Sequence, residues 1–268
     1  MVLLPNCKIN LGLNIVGKRA DGYHDIETAL FPVPFSDALE IILAEDGIFE
    51  FHSTGLTVAC EIEENLCVRA FRLLQHEFNL PAVKMHLHKV IPMGAGLGGG
   101  SSDCAFALKL LDKVFALGLN HDRLAAYARV LGSDCAFFIE NKACFAFERG
   151  DRFEPVEADI AGLKIMLVIP GVHVTTRDAY SAIVPSTPVQ PLKDILKLPA
   201  DRWKDRLVND FEVPVFEKHP MLGNIKSKLY EAGAIYASMS GSGSSLFGLF
   251  SEPPCLDGQF PGCYTWNS

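Results

Sequence analysis

The sequence predicts an α+β protein of two domains. Short runs rich in Ile, Leu and Val, bounded by Gly, Asp and Pro, alternate with longer segments of helical spacing. An acidic stretch without strand character, residues 150–161, divides them into two groups, and each group holds one loop of small residues, at 94–100 and at 240–244. The expected domains are therefore residues 1–155 and 156–268. With 268 residues, 49% hydrophobic and 21% charged, the chain has ample material for a buried core.

In chain order, residues 8–16 and 38–43 are expected strands and make a β-rich opening. Asn65 suits the cap of a helix in which Leu66, Ala70, Phe71, Leu73, Leu74 and Phe78 recur at helical spacing before Pro81. Residues 83–90 read as a strand, with Val83, Met85 and Leu87 alternating against Lys84, His86 and His88. The glycine loop follows, then a largely buried helix from Ala105 to Leu117 and another over 121–131. Strands are expected at 143–147 and 163–169. Beyond them, 176–184, 203–218 and 220–232 carry helical patterning broken by prolines, and strands at 234–239 and 245–250 flank the second small-residue loop. No repeat of fixed period runs through the chain.

Net charge is −8, from 24 Lys and Arg against 32 Asp and Glu, with no basic cluster, which argues against a nucleic-acid surface built on phosphate neutralisation. A small molecule is the expected partner. The eight cysteines are scattered, without a CxxC pair or the dense spacing of a disulfide scaffold or zinc site, and read as reduced core thiols. The apolar run from Met1 to Leu4 ends at Pro5, too short for a signal sequence, and nowhere do about 18 apolar residues run together. Neither export nor a membrane span is expected, and the predicted location is cytoplasmic.

Pro92 to Ser102 places Gly94, Gly96, Gly98, Gly99 and Gly100 directly before a helix. Backbone amides close around an anion only where no Cβ intrudes, and the free amides and dipole at the helix start add to the attraction for phosphate. Ser101 and Ser102 bring hydroxyl donors to the same end. A flexible linker is the competing reading, and it fits badly between a buried strand and a buried helix. The lysine of a Walker A loop is missing, because Gly99 is followed by Gly100. Gly94, Gly96 and Gly99 match a GxGxxG spacing, but a dinucleotide site wants an acid at a strand end about 20 positions later, where this chain is helical. Asp103 reads as a cap of the following helix.

Lys8 and Asn10, two apart on one expected strand, project from the same face. Asp21-Gly22-Tyr23-His24 is a turn that sets a flat aromatic beside an imidazole. Asp134 stands between a Gly-Ser turn and the apolar run Cys135 to Ile139. Acids are seldom buried without a partner, so Asp134 either bonds local backbone or serves as a catalytic carboxylate paired with a cation such as Lys8. The residues alone leave both open. His86 and His88 share a strand face without a third ligand and read as polar-face residues rather than a metal site.

Lys8-Ile9-Asn10, Pro92 to Ser102, Asp134 and Ser240-Gly241-Ser242-Gly243-Ser244-Ser245 resemble, in order, the three signature regions of the GHMP small-molecule kinase family, and the likeness spans nearly the whole chain. It implies an N-terminal ribosomal-protein-S5-like domain, a C-terminal ferredoxin-like domain and an active site in the cleft between them. It implies ATP as phosphoryl donor, accompanied by Mg²⁺, with Ser102 a candidate ligand. Pro92, Met93, Gly94, Ala95, Gly96, Leu97, Gly98, Gly99, Gly100, Ser101 and Ser102 would wrap the phosphates, and Asn65 and Lys89 match positions near the adenosine. Asp134 would be the base, oriented with the acceptor hydroxyl by Lys8. The string Arg19 to His24 narrows the implied acceptor to a cytidine diphosphate-linked methylerythritol, phosphorylated on its 2-hydroxyl. Asn10 would help hold this acceptor, Tyr23 and His24 would read its cytosine, and Tyr180, with Thr176 on the same segment, would stand on the far side of the ring. A homoserine or mevalonate kinase of the same family is one competing reading, opposed by Tyr23-His24. A nucleotide sensor without turnover is another, opposed by the retention of both Lys8 and Asp134.

Overall fold

In the computed structural model, which describes every residue except Ala59, Asp159, Ala182 and Asp257, the chain opens on strands. These are β1 (Val2–Leu3), β2 (Asn6–Lys18), β3 (His24–Ser36), β4 (Ala38–Leu43) and β5 (Glu50–Gly55). Next come α1 (Leu66–Phe78), β6 (Val83–Lys89), α2 (Gly99–Phe115), α3 (His121–Leu131) and α4 (Cys135–Glu140). They are followed by β7 (Cys144–Phe147), β8 (Arg152–Pro155), β9 (Lys164–Pro170), α5 (Thr176–Ser181) and α6 (Leu192–Leu196). The remaining elements are α7 (Glu212–Lys218), α8 (Pro220–Glu231), β10 (Tyr236–Met239), β11 (Leu246–Phe250) and β12 (Cys263–Asn267). The strands form three four-stranded sheets, ordered β1-β4-β6-β5, β2-β3-β7-β8 and β10-β11-β9-β12.

The compact units are interleaved along the chain. One comprises Met1–Lys8, Pro32–Met93 and Gly98–Lys142, the other Ile9–Phe31, Gly94–Leu97 and Ala143–Ser268. The expected boundary at 155/156 falls within the Ala143–Ser268 stretch of the second. β2 and β3, at 13 residues each, are long enough for a single strand to serve both units, and the stretch read as free of strands holds β8.

In the first unit β1, β4, β6 and β5 pair antiparallel, except that β5 and β6 run parallel. β6 keeps its alternation, with Val83, Met85 and Leu87 buried, and the same period turns Lys89 inward. His86 and His88, on the opposite face, both bond Thr54 Oγ1. α1 begins as expected, Asn65 Oδ1 accepting from Cys67 N at 2.9 Å. It packs on α2, and α3 packs on α4. α2 starts at Gly99 rather than Ala105, so the last glycines of the loop are already helix.

In the second unit β10, β11, β9 and β12 pair antiparallel. α8 lies on β10 and β11, and Leu13, Ile15, Val168, Leu222, Leu229, Met239 and Leu246 share one core. The patterned stretch 203–218 is α-helical only over α7. Non-local bonds claim part of it: Leu13 N donates to Val208 O at 2.8 Å, and Asn209 Nδ2 donates to Met239 O and Gly241 O at 2.8 and 2.9 Å. Among the described residues, no helix is long and apolar enough to cross a membrane.

Candidate active site

Lys8 sits on β2, 4% exposed, and its Nζ lies 4.0 Å from Asp134 Oδ2. Asp134 occupies the N-cap position of α4 but makes no capping hydrogen bond, so local backbone does not consume the carboxylate. Its side chain is 44% exposed. Burial pulls the Lys8 ammonium below its ordinary range, and the charge of Asp134 opposes that shift. The result is a carboxylate accessible to a hydroxyl, with a buried cation close to it.

Gly98 joins this pair to the glycine-rich loop. Its φ is +70°, and a Cβ there would stand 3.0 Å from Phe138 Cζ and 3.2 Å from Lys8 Cγ. Phe138 belongs to α4, the helix that presents Asp134. Loop, lysine stem and the helix that carries Asp134 are therefore one packed assembly. The first helical bond of α2 runs from Ser102 N to Gly98 O, so the amides of Gly99, Gly100 and Ser101 have no partner within the helix and sit at its positive end. Ser102 Oγ is buried, with no hydrogen-bond partner among the described residues. Pro92 and Met93 lead into the loop, Met93 largely exposed.

Below the loop lies a buried ion cluster. Lys89 Nζ bonds Asp37 Oδ2 and, at 2.7 Å, Asp103 Oδ2, and Asp37 Oδ1 accepts from Ile91 N at 2.8 Å. Asp103 is thus the partner of Lys89 and not the helix cap that the sequence reading assigns it, because it falls in the second turn of α2, facing inward. Burial, with the nearby charge of Asp37, pushes its carboxyl up to about 7 against the pull of Lys89. Lys89, expected near the adenosine, is committed to these carboxylates and sits behind the loop. Asn65 is likewise largely buried and spends its Oδ1 on its own helix. Lys89→Met strands two buried carboxylates and is expected to lower unfolding stability by about 3–5 kcal/mol in urea titrations. An unchanged denaturation midpoint would contradict that role.

The second unit holds Gly94–Leu97 against the small-residue loop after β10. A Cβ on Gly96, where φ is +79°, would fall 2.0 Å from Ser240 O. Ser240 Oγ donates to Gly96 O at 2.9 Å, and Ser245 N to Ala95 O at 3.1 Å. Asn10, expected to help hold the acceptor, is 4% exposed and donates to Thr28 Oγ1 at 3.0 Å. Thr176 is exposed at the start of α5.

Two of the expected site rings meet each other. His24 stacks directly on Tyr180, centroids 4.9 Å apart, and Tyr180 meets Phe211 edge-on at 4.8 Å. At that spacing no base fits between His24 and Tyr180. Tyr23 is 54% exposed, and the Arg149 guanidinium lies 3.8 Å from its ring centre. Asp37, Phe138 and Arg149 are absent from the sequence reading. A lone acid before the apolar strand β4 was the available sign of Asp37, since buried acids need partners; Phe138 and Arg149 carry no local signal.

Residues 65–142 match the family model described as GHMP kinases N terminal domain, and residues 191–254 match GHMP kinases C terminal. The chain belongs to the GHMP kinase family, and its mixed α+β architecture is the fold of these small-molecule kinases. It is similar in particular to proteins named 4-diphosphocytidyl-2-C-methyl-D-erythritol kinase. It is 53% identical to that of Bacteroides fragilis over 253 residues, 94% of this chain and 92% of the relative. With that of Parabacteroides distasonis it shares 48% identity over 269 residues, 100% of this chain and 98% of the relative. A crystal structure of 4-(cytidine 5'-diphospho)-2C-methyl-D-erythritol kinase matches with a TM-score of 0.82 at 30% identity, covering 100% of this chain and 98% of that one.

Proposed function

We propose that this chain transfers the γ-phosphoryl group of ATP to the 2-hydroxyl of 4-diphosphocytidyl-2-C-methyl-D-erythritol, the compound whose kinase its relatives are named for. The observation that carries the chemistry is the Lys8–Asp134 pair packed under Gly98. A tertiary alcohol is a weak nucleophile. Asp134 accepts its proton as the bond from oxygen to the γ-phosphorus forms and the bond to the β-phosphate oxygen breaks, releasing ADP. Lys8 orients the carboxylate and offsets charge on the alcohol oxygen. The amides at the start of α2 hold the phosphates in line, which is most of what phosphoryl transfer asks of a protein.

Mg²⁺ fits the same corner, since Ser102 Oγ is a buried oxygen, without a hydrogen-bond partner among the described residues, of the kind this ion takes. Ser102 would hold it together with phosphate oxygens, and the ion would neutralise phosphate charge. Eight free thiols suit a reducing compartment, and the proposed location is the cytoplasm.

Tyr23, His24 and Tyr180 belong to pyrimidine recognition in this reading, the base stacking on an outer ring face or opening the His24–Tyr180 stack. Tyr23→Ala is expected to weaken cytidine and uridine analogues alike, and His24→Ala to narrow the preference for cytosine, because hydrogen-bonding groups rather than ring faces set base identity. Calorimetry with CDP and UDP checks both, and normal affinities in the two variants would remove these residues from the site. For the reaction itself, ADP release is measured with the cytidine acceptor, methylerythritol 4-phosphate, homoserine and mevalonate. Only the first is expected to support turnover, and equal rates with another would transfer the activity to that acceptor.

A further inference from the structure

Arg149 projects from the turn between β7 and β8, and that turn is fastened to the strand that follows Tyr23. Glu148, in left-handed backbone at φ 56°, accepts from Ile26 N through its carbonyl at 2.7 Å. Gly150 lies against the same residue, since a Cβ there would be 3.0 Å from Ile26 Cδ1. The guanidinium is thereby delivered to one face of the Tyr23 ring at 3.8 Å. The main chain of Tyr23 is fixed as well, its amide donating to Asp21 Oδ1 at 3.0 Å and its carbonyl accepting from Arg19 N at 2.8 Å.

The two arginines of this corner are used differently. Arg19 pairs with Asp25 at 2.6 Å and with Asp21 at 3.4 Å. Arg149 is exposed and makes no ion pair within 4.0 Å among the described residues, although its charge also acts on Asp21. Its guanidinium carbon stands 3.8 Å from the Tyr23 ring centre, and its several donors suit a planar or multi-oxygen anion, which a guanidinium meets better than an ammonium.

We propose that Arg149 is a specificity-determining residue for the cytidine acceptor: it backs one face of Tyr23, holding the ring for a pyrimidine on the other, and offers its charge to the diphosphate joined to that nucleoside. This rests on the function proposed above. An exposed tyrosine on a turn otherwise samples several rotamers, and ordering it in advance removes a cost from binding.

The test uses the full chain carrying Arg149→Leu or Arg149→Lys, with steady-state kinetics and with calorimetry for CDP and cytidine. Arg149→Leu is expected to raise KM for the cytidine acceptor about threefold to tenfold, with kcat within about twofold and KM for ATP unmoved. Its loss of affinity should be larger for CDP than for cytidine, and Arg149→Lys, which keeps the charge without the stack, should fall between. Wild-type KM in Arg149→Leu, or a fall in kcat with KM unchanged, would overturn the assignment. So would equal losses for CDP and cytidine as far as the diphosphate contact is concerned. If the wild-type chain bound CDP but did not phosphorylate the acceptor, the proposed reaction would fail by itself, and the CDP comparison would still decide the role of Arg149.

Discussion

Asp134→Asn is expected to fold and to bind ATP with unchanged affinity, yet to lose on the order of 10² to 10⁴ in turnover, the usual range for a general base. The amide matches the carboxylate in shape and cannot take up the alcohol proton. Nothing in the helix should suffer, because Asp134 caps no backbone amide of α4. The neighbouring Lys8 loses an ion-pair partner at 4.0 Å whose carboxylate is 44% exposed, a separation too long for a strong bond, so the stability change should be small. Single-turnover phosphorylation with saturating acceptor reads the chemical step directly. A rate near that of the unaltered chain would move the base to another group.

Gly99→Val is the second large effect, and its cause is steric. Gly99 is the first residue of α2 and is buried; a Cβ there would lie 2.8 Å from Ile91 Cγ2 and 3.1 Å from Lys89 Nζ. Lys89 cannot retreat, since Asp37 and Asp103 hold it. The helix start must shift, and the amides of Gly99, Gly100 and Ser101 move with it. ATP affinity is expected to fall at least about 100-fold, because the preorganised anion site of a helix N-terminus is lost. Binding of CDP should survive, since Tyr23, His24 and Tyr180 belong to the other compact unit. Gly100→Ala, whose Cβ would meet only Met93 Cε at 3.9 Å, is the control for folding. Unchanged ATP affinity in the valine variant would place the nucleotide elsewhere.

Where structure follows local chemistry, the sequence was readable. The cap at Asn65 and the alternation of β6 are short-range effects, and the period of β6 already points Lys89 inward. The glycine loop predicts an anion site, because five missing side chains before a helix leave backbone amides room to close on one. β3 is not legible in the same way: Pro32 and Pro34 lie within it, and proline normally argues against a strand interior. The stretch 203–210 looks helical until Leu13, Met239 and Gly241, distant in sequence, take its hydrogen bonds. The site divides along the same line. Lys8 and Asp134 stand out by residue type, whereas Asp37 and Arg149 gain their roles from partners that only the folded chain brings near. The pairing of the aromatic residues, His24 with Tyr180 on α5 and Tyr23 with Arg149 on the β7–β8 turn, depends on segments more than a hundred residues downstream.

³¹P NMR of the reaction mixture tests most directly whether one phosphoryl group passes from ATP to one hydroxyl of the cytidine acceptor. One ADP formed per acceptor consumed, an intact diphosphate linkage and a single new phosphomonoester on the 2-position are expected. ADP appearing with free phosphate while the acceptor stays unmodified, or the new ester on another hydroxyl, would contradict the proposed reaction.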